Sequence, residues 1–221
     1  MINNIKAIGM LTDLQKSHEY KGHDGNTVQY YKARLAVKRL SDVFDYIPLI
    51  ISSDIVDSLG TKDGCVSVEG EVRTRNYVGE DERSHLAVYV KATDISVLEE
   101  VPEHGLNEVE LEGVICKEPS LRETASGRVI SDLLIAHNTC SKNGNRIKSY
   151  YVPALTWGSS ARVIHKHFGV GDGIVIKGRL QSRKYHCKNE PDGVYHWAYE
   201  ISVSNFRATT NTKDDSDTIV A

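Results

Sequence analysis

The sequence predicts an all-β chain: two tandem five-stranded barrels, each with a short helix between its third and fourth strands. Two observations carry this, an internal repeat and a shared rhythm of alternating apolar and polar residues. Three blocks recur in the same order. Residues 3–9 (NNIKAIG) match 107–113 (NEVELEG) at an offset of 104. Tyr46-Ile47-Pro48-Leu49 matches Tyr151-Val152-Pro153-Ala154 at an offset of 105. Residues 66–77 (VSVEGEVRTRNY) match 174–185 (IVIKGRLQSRKY) at an offset of 108. Such spacing marks two copies of one unit of about 100 residues. The drift in offset implies small loop insertions in the second copy. The joint falls near residues 99–105 (EEVPEHG), which hold charge, Pro and Gly without periodicity, as a linker does. The expected units are 1–99, 107–206 and a short acidic tail, 207–221.

In the first copy, residues 3–9 open the first strand and the segment from Tyr46 supplies the third. Residues 54–59 occupy the helix slot, Gly60 ends it, and 65–75 and 86–97 follow as strands. The second copy is clearer. Residues 107–115 alternate, as a half-buried strand does. Ser126-Gly127 makes a turn and 129–136 a second strand. Asn143-Gly144 is a hairpin signal before a third strand at 150–157. Residues 159–168 read as a helix, with Ser159 or Ser160 as cap, Ala161, Ile164, His165 and Phe168 on one face, and Gly169 as the stop. Residues 174–185 and 195–203 complete the set. Three strands, a helix and two strands is the order of the OB-fold Greek-key barrel, although rhythm alone leaves other small barrels open.

Bulk properties narrow the function classes. The hydrophobic fraction of 40% suits a globular chain. No apolar run is long enough to span a membrane, and no export signal opens the chain. Cys65, Cys116, Cys140 and Cys187 are scattered and expected to be reduced core thiols. These features point to the cytoplasm. Net charge is −3, unevenly spread: residues 1–99 carry 12 Lys/Arg against 15 Asp/Glu, and 107–206 carry 13 against 10. On this balance the second copy is the better partner for phosphate.

Four segments of the second copy resemble the bacterial single-stranded DNA-binding protein family: 107–113, YYVPALTWG (150–158), GVGDGIVIKGRL (169–180) and SRKY (182–185). The first copy resembles it more weakly, through NNIKAIG, YIPLIIS and VEGEVRTRNY. The resemblance implies OB folds whose aromatics stack on bases. By position these are Tyr185 and Tyr77 at the end of strand four, Tyr151 and Tyr46 early in strand three, and Trp157 later in it, where the first copy has Ser52. A further family aromatic would fall near Cys140-Ser141 and is missing. The family's acidic tail also ends in Pro-Phe, which this one lacks.

Alternation places Arg179, Gln181, Arg183 and Tyr185 on one face of strand four, with Lys184 beside them, and repeats this as Arg73, Arg75 and Tyr77. Arg146 and Lys148 flank the hairpin tip. Cations beside stacking rings are what a single strand needs: stacking tolerates any base, at about 1–3 kcal/mol per base, and Lys or Arg holds phosphate. Tyr46, Tyr151 and Trp157 also suit a barrel core. Trp197 and Tyr199 read as packing or rim residues. His165 and His167, two apart, do not share a helix face, and His186, Cys187 and His196 make no zinc signature. No phosphate loop, nucleophile elbow or paired-carboxylate motif is present.

The expectation is therefore a non-enzymatic, nucleoid-associated binder of single-stranded DNA in replication, recombination or repair, led by the second repeat, with no metal or cofactor. A homodimer would bring four barrels together, and the acidic tail is a candidate contact for replication or repair proteins. The alternative is an OB-fold accessory module of a primosome or mobile element, with weak nucleic-acid binding that includes RNA.

Overall fold

The computed structural model describes residues 1–21, 25–60, 64–79, 82–140, 147–186 and 195–209. The first barrel contains β1 (Asn3–Lys21), β2 (Thr27–Lys38), β3 (Phe44–Ser52), α1 (Ser53–Ser58), β4 (Gly64–Val78) and β5 (Ser84–Val97). The second contains β6 (Leu106–Ile115), β7 (Ser120–Glu123), β8 (Val129–Cys140), β9 (Ile147–Trp157), α2 (Gly158–His167), β10 (Gly173–Tyr185) and β11 (His196–Ala208).

Each barrel closes in the same way. β1 pairs with β2, β2 with β3, β3 in parallel with β5, β5 with β4, and β4 with β1. The second repeats this as β6, β8, β9, β11, β10 and back to β6. Both are OB barrels, so the all-β reading holds. One strand had no forecast: β7, a four-residue edge strand on β8, which supplies the first arm of the Ser126-Gly127 turn. The Asn143-Gly144 hairpin tip and residues 210–221 of the tail lie outside the described residues. Among the described residues no helix is long and apolar enough to cross a membrane.

Alternation explains the interior. Ile5, Ala7 and Leu11 of β1 point inward, as do Val109, Leu111 and Ile115 of β6. Each fully buried aliphatic side chain contributes about 1.5–3 kcal/mol. The helix seals the barrel end. Ala161 and Ile164 of α2 are buried, and Phe168 meets Phe206 edge-on at 5.8 Å. α2 begins at Gly158, next to Trp157, with no side-chain cap. The expected serine cap therefore does not form; Ser159 is already inside the helix. Cys65 is buried, Cys116 half-buried and Cys140 exposed, so among the described cysteines only the first is a core thiol; Cys187 lies outside the described residues.

The repeat is a pseudo-dyad in space. β1 and β6 pair antiparallel with Ile5 opposite Val109 at the centre, joining the two barrels in one continuous sheet. Asn3 donates to Val72 O and accepts from Val72 N, both at 2.9 Å. Asn107 does the same to Leu180, at 2.9 and 3.0 Å. These amides grip strand four just past a bulge, between Glu69 and Gly70 in one copy and between Lys177 and Gly178 in the other. Glycine is required at both bulges, because a β-carbon there would run into the carbonyl of Lys91 or Ser202. The recurrence of Asn and Gly in the repeat thus has a structural cause.

Candidate nucleic-acid interface

Beyond the bulge the register of β10 with β11 is unbroken from Gly178 to Tyr185, so the alternation read from the sequence applies. Arg183 and Tyr185 are exposed on one face, 5.7 Å apart from guanidinium to ring. Lys184 points the other way and sits 4.3 Å over the Tyr195 ring. Arg75 and Tyr77 are exposed on β4, with Tyr77 stacked on His85 at 5.5 Å.

Further up the same strands, the two barrels meet. On one side of the pseudo-dyad, Asp45 is fully buried. Arg39 donates to both its oxygens, at 2.7 Å from Nε to Oδ2 and in a short contact from Nη2 to Oδ1. The Ser182 N–H donates to Oδ1 at 3.0 Å, and the Tyr46 N–H donates to Ser182 Oγ at 2.9 Å. Arg179 Nε lies 3.8 Å from Asp45 Oδ2. Hydrogen bonding to Asp45 pushes the Arg39 pKa up, whereas burial, then the Arg39 charge, pull that of Arg179 down against the attraction of Asp45. Arg179 is thus half-buried at the junction. On the other side, Tyr150 of β9 is buried beneath Arg73 of β4 at 5.3 Å and Lys148 at 5.1 Å.

A groove of about 1130 Å³ opens across this junction. Its floor is the face of the first barrel, and Lys148, Tyr150, Trp197 and Tyr199 of the second close one side. Arg34 lies 5.9 Å over the Tyr46 ring, which meets Trp197 edge-on at 5.6 Å. Lys91 lies 6.0 Å over Tyr30. Burial raises the Tyr89 hydroxyl pKa, reinforced by Tyr150 and opposed by Arg73 and Arg75. Burial likewise raises that of Tyr199, opposed by Arg34. A second recess of about 510 Å³ holds Trp157, Arg179 and Arg128, with Trp157 Nε1 donating to Ser202 Oγ at 3.2 Å.

The candidate residues therefore fall into groups. Arg73, Arg75, Tyr77 and Lys148 line the large groove, and Tyr46 borders it through Arg34 and Trp197. Trp157 and Arg179 share the small recess. Arg183, Lys184 and Tyr185 form an exposed strip at the end of β10, and Tyr151 is exposed on β9. Arg146 lies outside the described residues. Sequence reasoning passed over Tyr30, Lys32, Arg34, Tyr89, Lys91 and Tyr150, and read Trp197 and Tyr199 as rim. Tyr30, Lys32 and Arg34 alternate along β2, as do Tyr89 and Lys91 along β5, and that parity was the available signal. Among the described residues no cluster of His, Cys, Asp or Glu is arranged to hold a metal ion.

Comparison with known proteins bears on the family and the fold. A model described as the single-strand binding protein family matches residues 106–209. Single-stranded DNA-binding protein B of Bacillus subtilis is 30% identical over 102 residues, which is 46% of this chain and 88% of that one. The single-stranded DNA-binding protein of Malacoplasma penetrans is 26% identical over 111 residues, 50% of this chain and 56% of that one. The crystal structure of the wild-type single-stranded DNA binding protein from Thermus aquaticus superimposes with a TM-score of 0.69 at 20% identity, covering 98% of this chain and 97% of that one. A deletion mutant of it gives 0.70 at 19% identity, covering 98% of both chains.

Proposed function

This chain belongs to the single-strand binding protein family, and from that membership we propose that it binds single-stranded DNA by base stacking and phosphate contacts, without reading sequence and without catalysing a reaction. The observation that carries the mechanism is the large groove, where exposed or half-buried tyrosines and a tryptophan alternate with lysines and arginines on neighbouring strands. A ring face accepts any base, and flanking cations follow the backbone. Stacking roles go to Tyr46, Tyr77, Tyr151, Trp157 and Tyr185. Phosphate roles go to Arg73, Arg75, Lys148, Arg146, Arg179, Arg183 and Lys184. The proposed setting is replication, recombination or repair. Two chains would bring four barrels together, and light scattering near 49 kDa, twice the 24.6 kDa chain, tests this. Partner recruitment by residues 207–221 is tested by truncating them and measuring pull-down of replication proteins.

The binding experiment is titration of fluorescent oligo-dT across salt. Four phosphate contacts give a log–log salt slope of about −2.8. Micromolar or tighter binding with such a slope supports the proposal. A folded protein that does not bind overturns it, and tighter binding of oligo-U than oligo-dT replaces DNA with RNA as the ligand.

A further inference from the structure

We propose that the main seat of the single strand is the groove of the first barrel, completed by Lys148, Tyr150, Trp197 and Tyr199 of the second, so that neither repeat presents it alone. This rests on the single-strand binding reading and reverses the lead that net charge gave to the second repeat.

The argument compares equivalent positions. Met10 faces Ala36 and Val114 faces Ala136, which aligns β2 with β8. Gly70 faces Ala92 and Gly178 faces Val203, which aligns β5 with β11. On this alignment Lys32 and Arg34 correspond to Asp132 and Leu134. Tyr89 and Lys91 correspond to Glu200 and Ser202, and Arg73 to Gln181. At these five positions the face is basic or aromatic in the first repeat and acidic or neutral in the second, whereas Arg75 and Tyr77 are matched by Arg183 and Tyr185.

Ion pairing sharpens the contrast. Among the described residues, five cations around the groove (Lys32, Arg34, Arg73, Arg75 and Lys148) stand with two carboxylates: Asp13, 3.7 Å from Arg34, and Glu71, 2.6 Å from Arg73. On the second barrel three arginines meet carboxylates. Arg122 donates to Asp132 at 3.0 Å, Arg183 lies 3.8 Å from Glu200, and Arg179 lies 3.8 Å from Asp45. A phosphate arriving there competes with a bound acid; in the groove it meets a surplus of positive charge. Net charge over a whole repeat hides this, because the acids of the first repeat lie largely elsewhere. Glu69, for example, pairs with Lys6 at 2.7 Å.

Three variants of the full chain test the inference by oligo-dT titration, with circular dichroism as the folding control. Lys32→Gln with Arg75→Gln and Arg122→Gln with Arg183→Gln remove equal charge from the two faces. The first is expected to lose at least tenfold in affinity and to flatten the salt slope by about 1.4, two contacts' worth. The second is expected to lose less than threefold and to flatten the slope by no more than about 0.7, the one contact given to Arg183. Lys148→Gln, on the other barrel, is expected to behave as half of the groove pair. Equal losses, or the reverse order, overturn the inference, and a silent Lys148→Gln overturns the composite groove. If the wild type binds and no variant changes it, the inference fails while single-strand binding stands. If the folded wild type does not bind, the binding reading itself fails.

Discussion

Asp45→Ala is expected to cost more than any other single change at the junction. Asp45 is fully buried and takes two hydrogen bonds from Arg39 and one from the Ser182 N–H, with Arg179 at 3.8 Å. Removing the carboxylate leaves two guanidinium groups facing each other without a counter-charge. Breaking a buried ion pair on one side costs about 3–5 kcal/mol. At about 2–4 °C per kcal/mol for a chain of this size, the thermal midpoint falls by roughly 6–20 °C. Asp45→Asn keeps the shape and a carbonyl acceptor for Ser182 N, so its cost should be smaller, about 1–3 kcal/mol. Circular dichroism melts at neutral pH measure both. The junction also sets Trp197 and Tyr199 against the first barrel, so oligo-dT affinity should fall with Asp45→Ala even well below its midpoint. A midpoint shift under 2 °C refutes the reasoning that this ion cluster holds the barrels in place.

Three other outcomes are expected. Asn107→Ala frees the Leu180 N–H and C=O at the bulge and should cost about 1–3 kcal/mol in urea unfolding, with Asn3→Ala matching it on the other side. Trp197→Ala removes a ring from the groove wall and should weaken oligo-dT binding roughly 5- to 150-fold, equivalent to about 1–3 kcal/mol, with the melt unchanged. Tyr89 and Tyr199 have hydroxyl pKa values raised above the ordinary 10.0 by burial. They should ionise last in an ultraviolet titration, and their contribution to stability, present below that pH, should be lost as pH rises through the folded values. Loss of the latest-titrating component in Tyr89→Phe with Tyr199→Phe checks the assignment.

The fold was legible because the repeat preserves residues with a backbone duty. Asn3 and Asn107 grip strand four, and Gly70 and Gly178 allow its bulge, so those blocks align at near-constant offsets. β7 escaped because four exposed residues carry no alternation. The helix cap was misread because α2 starts directly from the strand at Gly158, where φ is +58°. The site was legible only in part. Arg75, Tyr77, Arg183 and Tyr185 follow from parity on strand four. Tyr150 and Tyr151 are adjacent in an apolar strand, and only the packing of the second barrel on the first decides that Tyr150 is the one beneath Arg73. Net charge did not show the basic face for a related reason: a sum over a repeat averages its faces, and the basic face of the first barrel is assembled from β2, β4 and β5, far apart in sequence.

Both tryptophans, Trp157 and Trp197, are partly exposed beside the proposed strand path. Intrinsic fluorescence of the unmodified chain therefore tests single-strand binding directly. Titration with oligo-dT from 50 to 300 mM salt should quench the emission to saturation, with micromolar or tighter affinity and a log–log slope of about −3, as four or more phosphate contacts require. A folded chain whose fluorescence does not respond to oligo-dT at any salt, and which shows no binding by anisotropy, would contradict the account.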